Sequence, residues 1–252
     1  MKKLKITSLL LFLNLFALFG QDLKKEDQKV VSDFINCIRY QNVKELCKKI
    51  SFPFEREYPI PEIKSKEEFF KRYNEIFDDS LIKMIVNSRP ADWSAMGWRG
   101  IMVLNGELWL DYDGRLIAVN YQSKFEKKEI VQLIKIEKSG LYESIKEFKQ
   151  PICILETTNY RIRIDYLGDG NYRYVSWRMK SKMSDKPDIV IEKGEYIPDG
   201  SGGNHRYEFK KADYIYECSI IDMGEEGSPP ALLTIYKGEK VILSQRANII
   251  TK

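Results

Sequence analysis

Few side chains in this sequence of 252 residues stand at spacings that do chemistry. The single histidine, His205, lies in a glycine-rich stretch that runs from Asp199 to Tyr207. A phosphate cradle needs a strand, a glycine loop and then a helix whose N-terminus faces the anion. Here Tyr207, Glu208 and Phe209 continue as strand, which excludes that reading. A lone imidazole also excludes sites built on two or more histidines. The stretch can serve as a flexible turn, or it can present Ser201, Gly202, Asn204, His205, Arg206 and Tyr207 to a partner from a rigid scaffold. A second candidate is aromatic: Trp93, Trp98 and Trp109 lie near Asp92, Asp111 and Tyr112. They could wall a ligand pocket in which an acid kept neutral beside a tyrosine moves a proton, or they could be core tryptophans beside hairpin acids. Asp111, Asp113 and Gly114 share the start of a calcium loop, but the remaining ligands are missing and the segment reads as a hairpin turn. No metal site and no cofactor is expected.

The cysteines are Cys37, Cys47, Cys153 and Cys218, with no C-x-x-C spacing of the kind zinc sites use. An even number in an exported chain suggests disulfides, and local pairing gives Cys37–Cys47 and Cys153–Cys218; four buried thiols are the alternative. Export itself is read from the start of the chain. Lys2, Lys3 and Lys5 precede an apolar run from Ile6 to Phe19, with Gly20 before Gln21. A membrane-spanning helix needs about 20 apolar residues, so residues 1–20 read as a signal peptide rather than an anchor. Without its three lysines the chain holds 38 basic and 37 acidic side chains, so the stated net charge of +4 falls to +1. Bulk charge therefore gives no reason to expect a nucleic-acid or anionic-membrane partner. The expected location is periplasmic or secreted, with no membrane association after cleavage.

These candidates must be positioned by two kinds of element. Over residues 24–87 apolar positions recur at helix spacing: Val30, Val31, Phe34, Ile35 and Ile38, then Val43, Leu46, Cys47 and Ile50. Ser65 with Glu67 and Glu68 marks a helix start, followed by Phe69, Phe70, Tyr73, Ile76 and Phe77 as a buried face, and Leu81 to Val86 suggests a short fourth helix. Strands follow. Asn105-Gly106 is a strong hairpin signal, Asp113-Gly114 turns again, and Arg115 to Tyr121 returns. One more strand is expected near Val131 to Ile136, then a helix or linker from Tyr142 to Phe148. A domain boundary is placed at Gln150-Pro151. Beyond it, Tyr160, Ile162, Ile164 and Tyr166 alternate with Arg161, Arg163 and Asp165. Turn signals, Lys193-Gly194 among them, imply about eight short strands. That number closes a small antiparallel barrel; an open sandwich is the alternative. The expected class is α+β: residues 21–150 with helices on a curved antiparallel meander, and residues 151–252 as an all-β barrel.

Two resemblances follow from these segments. Ser201-Gly202 with Tyr207, and Tyr236-Lys237-Gly238, resemble two motifs of the bacterial inhibitors of C-type lysozyme. Gly203 to Arg206 makes the first motif too long, and the second lacks one residue. The resemblance implies an exported eight-stranded barrel whose loop serine and lysine enter a hydrolase cleft. There a hydroxyl and an ammonium would meet the two catalytic carboxylates, so Ser201 and Lys237 would be partner-binding and the protein no enzyme. The helices and meander resemble, in element order, the nuclear-transport-factor-two-like superfamily, whose members include enzymes and binding modules. That fold does not set a function by itself, and the rival reading is the aromatic pocket in the N-terminal domain around Trp93, Trp98, Trp109 and Asp92. The expected partner is a lysozyme-type hydrolase or another extracytoplasmic protein.

Overall fold

A computed structural model of the chain describes residues 23–200 and 202–251. The expected signal peptide and Ser201 lie outside the described residues. Four helices come first: α1 (Lys25–Arg39), α2 (Val43–Lys48), α3 (Lys66–Ile76) and α4 (Asp79–Asn87). They pack on an antiparallel sheet of β1 (Ser94–Ala95), β2 (Ile101–Val103), β3 (Leu108–Leu110) and β4 (Leu116–Val119), in that order. The expected stripes form the core: Val31, Phe34, Ile35 and Ile38 of α1 meet Ile101, Val103, Leu108 and Leu110 of the sheet. Phe70, expected to be buried, is exposed. Ser65 caps α3 by accepting from the Glu68 amide at 3.2 Å.

Asp78 has a wider role. Its carboxylate accepts from the Leu81 amide at 2.9 Å, capping α4, and from the Tyr121 hydroxyl at 3.0 Å. It also accepts from the Lys124 amide at 3.1 Å, at the start of α5 (Lys124–Ser139). Helix α5 replaces the strand expected at Val131 to Ile136. The reason is local. The Ser123 hydroxyl accepts from the Glu126 amide at 3.1 Å, and the Glu126 carboxylate accepts from the Ser123 amide at 3.2 Å, a reciprocal capping box. Val131 and Ile136 lie on the exposed side of that helix, which gave the segment its strand-like texture. Glu126 is fully buried because Arg56 grips it twice, at 2.6 and 2.7 Å.

The remaining strands close into a barrel: β5 (Gln150–Glu156), β6 (Tyr160–Gly168), β7 (Asn171–Arg178), β8 (Ile189–Pro198), β9 (His205–Lys211), β10 (Tyr214–Ile220), β11 (Ala231–Lys237) and β12 (Lys240–Thr251). The closed order is β10-β11-β12-β5-β6-β7-β8-β9, so the fold is α+β with an eight-stranded antiparallel barrel. Ile162, Ile164, Tyr174, Tyr207, Phe209 and Leu233 fill its interior. Lys193-Gly194 is not a turn but lies within β8, where Lys193 has φ 64° and the pairing with β7 shifts register. Gly194 is required there, because a Cβ would stand 2.1 Å from the Phe209 ring.

The outer face of β6 and β7 is not open to solvent. Leu141, Ile145 and Phe148 cover it and build a second small core with Val175 and Trp177. Beneath them lies a buried ion chain. Asp165 accepts from Arg163 at 2.7 Å and from Arg173 at 2.8 Å, and Arg163 reaches Glu137 of α5 at 2.8 Å. Arg173 donates to the Ile145 and Glu147 carbonyls at 2.6 and 3.0 Å, and Arg163 lies 4.8 Å from the Phe148 ring centre. Residues from Ile134 to Phe148, ahead of Gln150-Pro151, thus pack on the barrel wall.

The expected disulfides are corrected: no disulfide joins any of the four cysteines. The Cys37 thiol donates to the Asn42 carbonyl at 3.3 Å, and Cys47 turns toward the Lys66 carbonyl at 3.9 Å. Cys153 on β5 and Cys218 on β10 both face the barrel core, but β11 and β12 separate their strands. They share one barrel core and Cys153 acts electrostatically on Cys218, yet both remain thiols. Burial pushes the Cys218 thiol well above its ordinary pKa.

Two outcomes are expected. A fragment starting at Pro151 loses Leu141, Ile145 and Phe148, each worth about 1.5–3 kcal/mol when fully buried. In urea it should unfold well before a fragment starting at Leu141, and equal midpoints would contradict the packing. Asp78 supplies the second. Partial burial pushes its carboxyl up, but the amide and hydroxyl donors outweigh this and hold it below the usual Asp value. Its contribution is thus complete above the unfolded pKa of about 3.9 and is lost as pH falls through the lower folded value. Asp78→Ala should cost about 1–2 kcal/mol at neutral pH, with the gap to the parent closing below about pH 4 in denaturation curves.

Candidate functional site

The glycine-rich loop and Lys237 stand at opposite ends of the barrel. Pro198 pairs with His205, His205 with Ile220, and Ile220 with Ala231, which puts the β8–β9 and β10–β11 loops at one end. Lys237 pairs with Tyr214 and Lys240 at the other. Six residues of strand separate Ala231 from Lys237, about 20 Å at 3.3 Å per residue. One hydrolase cleft cannot take both segments, and this corrects the joint role that the lysozyme-inhibitor resemblance gave them. Lys237 instead lies 3.9 Å from Asp213 and 5.4 Å from the Tyr214 ring centre.

The described part of the loop is built for rigidity. Asn204 donates to the Met223 carbonyl at 2.8 Å and accepts from the Met223 amide at 2.7 Å. This clamps the β8–β9 loop to the β10–β11 loop. Gly203, at φ 93°, lies against Asp222, and Gly202 lies against Met223. The His205 Nδ1 lies 2.8 Å from the Gly203 carbonyl. Arg206 turns outward to Asp199 and Glu217, and Tyr207 turns into the core. Gly202, Asn204, His205 and Tyr207 thus gather at one barrel mouth, Arg206 lies on its outer wall, and Lys237 is elsewhere.

The aromatic pocket expected in the N-terminal domain does not form. Trp93 is buried edge-on against Phe34 at 6.0 Å, and its ring nitrogen donates to Ser88 at 3.0 Å. Trp98 is 68% exposed. Trp109 lies on the outer face of the sheet, donating to the Gly106 carbonyl at 2.8 Å. Asp92 is exposed and bound to Arg89 at 3.0 Å, which holds its carboxyl below the usual Asp range. Asp111 and Asp113 both pair with Arg115, at 2.6 and 2.7 Å, across the turn that the sequence suggested. Among the described residues, no group of three or more His, Cys, Asp or Glu side chains could hold a metal ion.

What sequence reasoning missed is a cleft between the N-terminal sheet and the barrel, of about 860 Å³. The chain from Ser51 to Tyr58 forms one wall, β4 from Leu116 to Val119 forms the back, and Gln150 to Ile152 of the barrel close it. Its walls are mixed: Pro53, Ile117, Pro151 and Ile152 are apolar, whereas Glu57, Arg115, Asn120 and Gln150 are polar. The walls are fixed to each other. Glu57 accepts from Gln150 at 2.7 Å and also from Gln122. Next to it, the Tyr58 hydroxyl donates to Glu137, the carboxylate that also holds Arg163. Burial and that bond push the Tyr58 hydroxyl above its ordinary pKa. No local spacing announces this cleft, because its walls come from three distant stretches of chain. The only signal was the run Pro53, Pro59 and Pro61, which marks a break from helix.

The chain matches no known family model, no curated protein and no solved structure. No described helix is long and apolar enough to cross a membrane.

The clamp at the barrel mouth is directly testable. Asn204→Ala removes two hydrogen bonds of about 1 kcal/mol each, so it should lower stability by about 1–2 kcal/mol and speed amide exchange at Met223. Lys237→Ala, at the other end, should leave that amide unchanged. Faster exchange at Met223 in both variants would refute the clamp.

Proposed function

We propose that the chain is an exported binding protein with no catalysis of its own, and that its ligand is held in the cleft between the two domains. The observation that carries this reading is the cleft of about 860 Å³, framed by Glu57–Gln150 and Tyr58–Glu137–Arg163. Small-molecule sites favour domain interfaces and are largely formed before the ligand arrives. A framed cleft also loses little freedom on binding, which favours affinity. Its walls suit a ligand with an apolar body and a few hydrogen-bonding groups: Ile117 and Ile152 would meet the body, and Asn120 would meet a polar edge. Three of the charged groups nearby are already engaged, Arg115 by Asp111 and Asp113, Arg56 by Glu126, and Glu57 by two amides. That arrangement serves recognition better than proton transfer. Export rests on the three lysines and the apolar run before Gln21.

The test is a thermal-shift screen of residues 21–252 against envelope-derived peptides, amino acids, sugars and cell-wall fragments. A ligand at 100 times its Kd stabilises by about 2.7 kcal/mol, a rise of roughly 5–10 °C for a chain of this size. Ile117 is 47% exposed, so Ile117→Arg should fold normally yet fill the cleft and abolish the shift. If the shifts survive in Ile117→Arg, the ligand binds elsewhere and the reading fails. A parallel assay of cell-wall clearing by C-type lysozyme is expected to show no inhibition.

A further inference from the structure

The barrel mouth carries a second surface, separate from the cleft. Five rings meet there. Tyr172 lies 5.3 Å from Tyr166 and 5.0 Å from Tyr207, and Tyr196 lies 5.1 Å from His205 and 5.5 Å from Tyr207, centre to centre. Tyr207 is buried and plugs the interior, whereas Tyr196 is 45% exposed. The rings therefore make a platform at the end of the barrel and not an opening into it. Three turns surround it: residues 168–170, 199–204 and 221–230. They carry Asp169, Asp199, Asp222, Glu225 and Glu226, which outnumber the three cations that reach them: Lys149 beside Gly168, Arg206 on Asp199 and Arg246 on the Gly227 carbonyl. The turns of the opposite end carry Lys180, Lys182, Lys186, Lys211, Lys237 and Lys240 against Asp185, Asp188, Asp213 and Glu239, a basic excess. The barrel is thus polarised along its strands, although the net charge of the whole chain is small.

We propose that this tyrosine platform, with its acidic rim, docks a basic surface of a partner protein. Charge complementarity selects the partner: the acidic rim attracts a cationic surface and repels an acidic one. The aromatic centre supplies what charge alone does not. Tyrosine is enriched where interfaces concentrate their binding energy, and a guanidinium or ammonium laid on its ring gains a cation–π contact. The Asn204–Met223 clamp holds two of the acidic turns together before any partner arrives, so docking immobilises little that is free. Arginine should be preferred to lysine, because its planar head stacks on the ring.

The test measures binding of residues 21–252 to three synthetic peptides, (Gly-Arg)6, (Gly-Lys)6 and (Gly-Glu)6, by fluorescence anisotropy at low and high salt. The arginine peptide should bind most tightly, the lysine peptide less so and the glutamate peptide not at all, with affinity falling as salt rises. Tyr196→Ala should weaken the arginine peptide at least tenfold. Glu225→Gln with Glu226→Gln, which touches no ring, should weaken both cationic peptides several-fold, and Lys237→Ala at the far end should change nothing. The melting curve of each variant reports whether it is folded, and the glutamine pair keeps the test decisive if Tyr196→Ala is unstable. If neither cationic peptide binds, or if both bind the Tyr196 and glutamine variants as tightly as the parent, the proposal fails. Loss of ligand shifts in Ile117→Arg bears only on the cleft, so the two readings fail separately.

Discussion

The barrel is tied to the chain that precedes it by a buried ion chain centred on one carboxylate. Asp165 lies between Arg163 and Arg173, all three shielded from water. Charges taken out of water cost several kcal/mol each, and the cost is recovered only where the geometry is good and the remaining donors are met. Most of them are met here. Arg173 finds the carbonyls of Ile145 and Glu147, while Arg163 finds Glu137 and the face of Phe148. An apolar substitute could pack as tightly but could not specify direction. The ion chain accepts one placement of the 141–148 segment and one rotation of α5, because every partner is a directed bond.

Helix α5 then acts as a strut with a carboxylate near each end. Glu126 is locked to Arg56 of the N-terminal domain, and Glu137 is locked to Arg163 of the barrel. Eleven residues of helix separate them, about 16 Å at 1.5 Å per residue. That length sets the spacing between the domains. Tyr58 closes the frame by donating to Glu137 from the same segment that carries Arg56. The cleft is what remains beside this frame, and its depth follows from the strut and not from side chains within it. This is why its walls are chemically unremarked in the sequence.

How much was legible follows from the range over which each feature is determined. The α1 stripe, the Ser65 cap, the Asp113-Gly114 turn and the alternation at Tyr160 to Tyr166 are local patterns, and each took the expected form. The barrel and the helix-then-sheet order followed from them. All the failures but one were tertiary. Arg163 and Asp165 alternate out of the barrel, as a solvent face would, but a segment of chain comes back to bury them. Gly194 resembles a turn residue, yet it is there to let the Phe209 ring approach. The strand expected at Val131 overlooked the Ser123-x-x-Glu126 spacing, a local signal that was available. Trp93, Trp98 and Trp109 are close in sequence, but a short strand and a turn send them to the core, the surface and the sheet face.

The separation of the glycine-rich loop from Lys237 has a topological cause that can be argued without coordinates. In an up-and-down barrel successive hairpins alternate between the two ends. The loop joins β8 to β9, and Lys237 leads into the hairpin that joins β11 to β12, three hairpins later. An odd number of hairpins always changes ends, whatever the side chains. Motif residues can share a cleft in such a fold only when the strand count between them is even. Residues 221–230 satisfy that condition with the glycine-rich loop, and the structure joins the two through Asn204. Parity therefore makes the acidic β10–β11 loop, rather than the lysine hairpin, the neighbour that shares the barrel mouth with His205 and Tyr196.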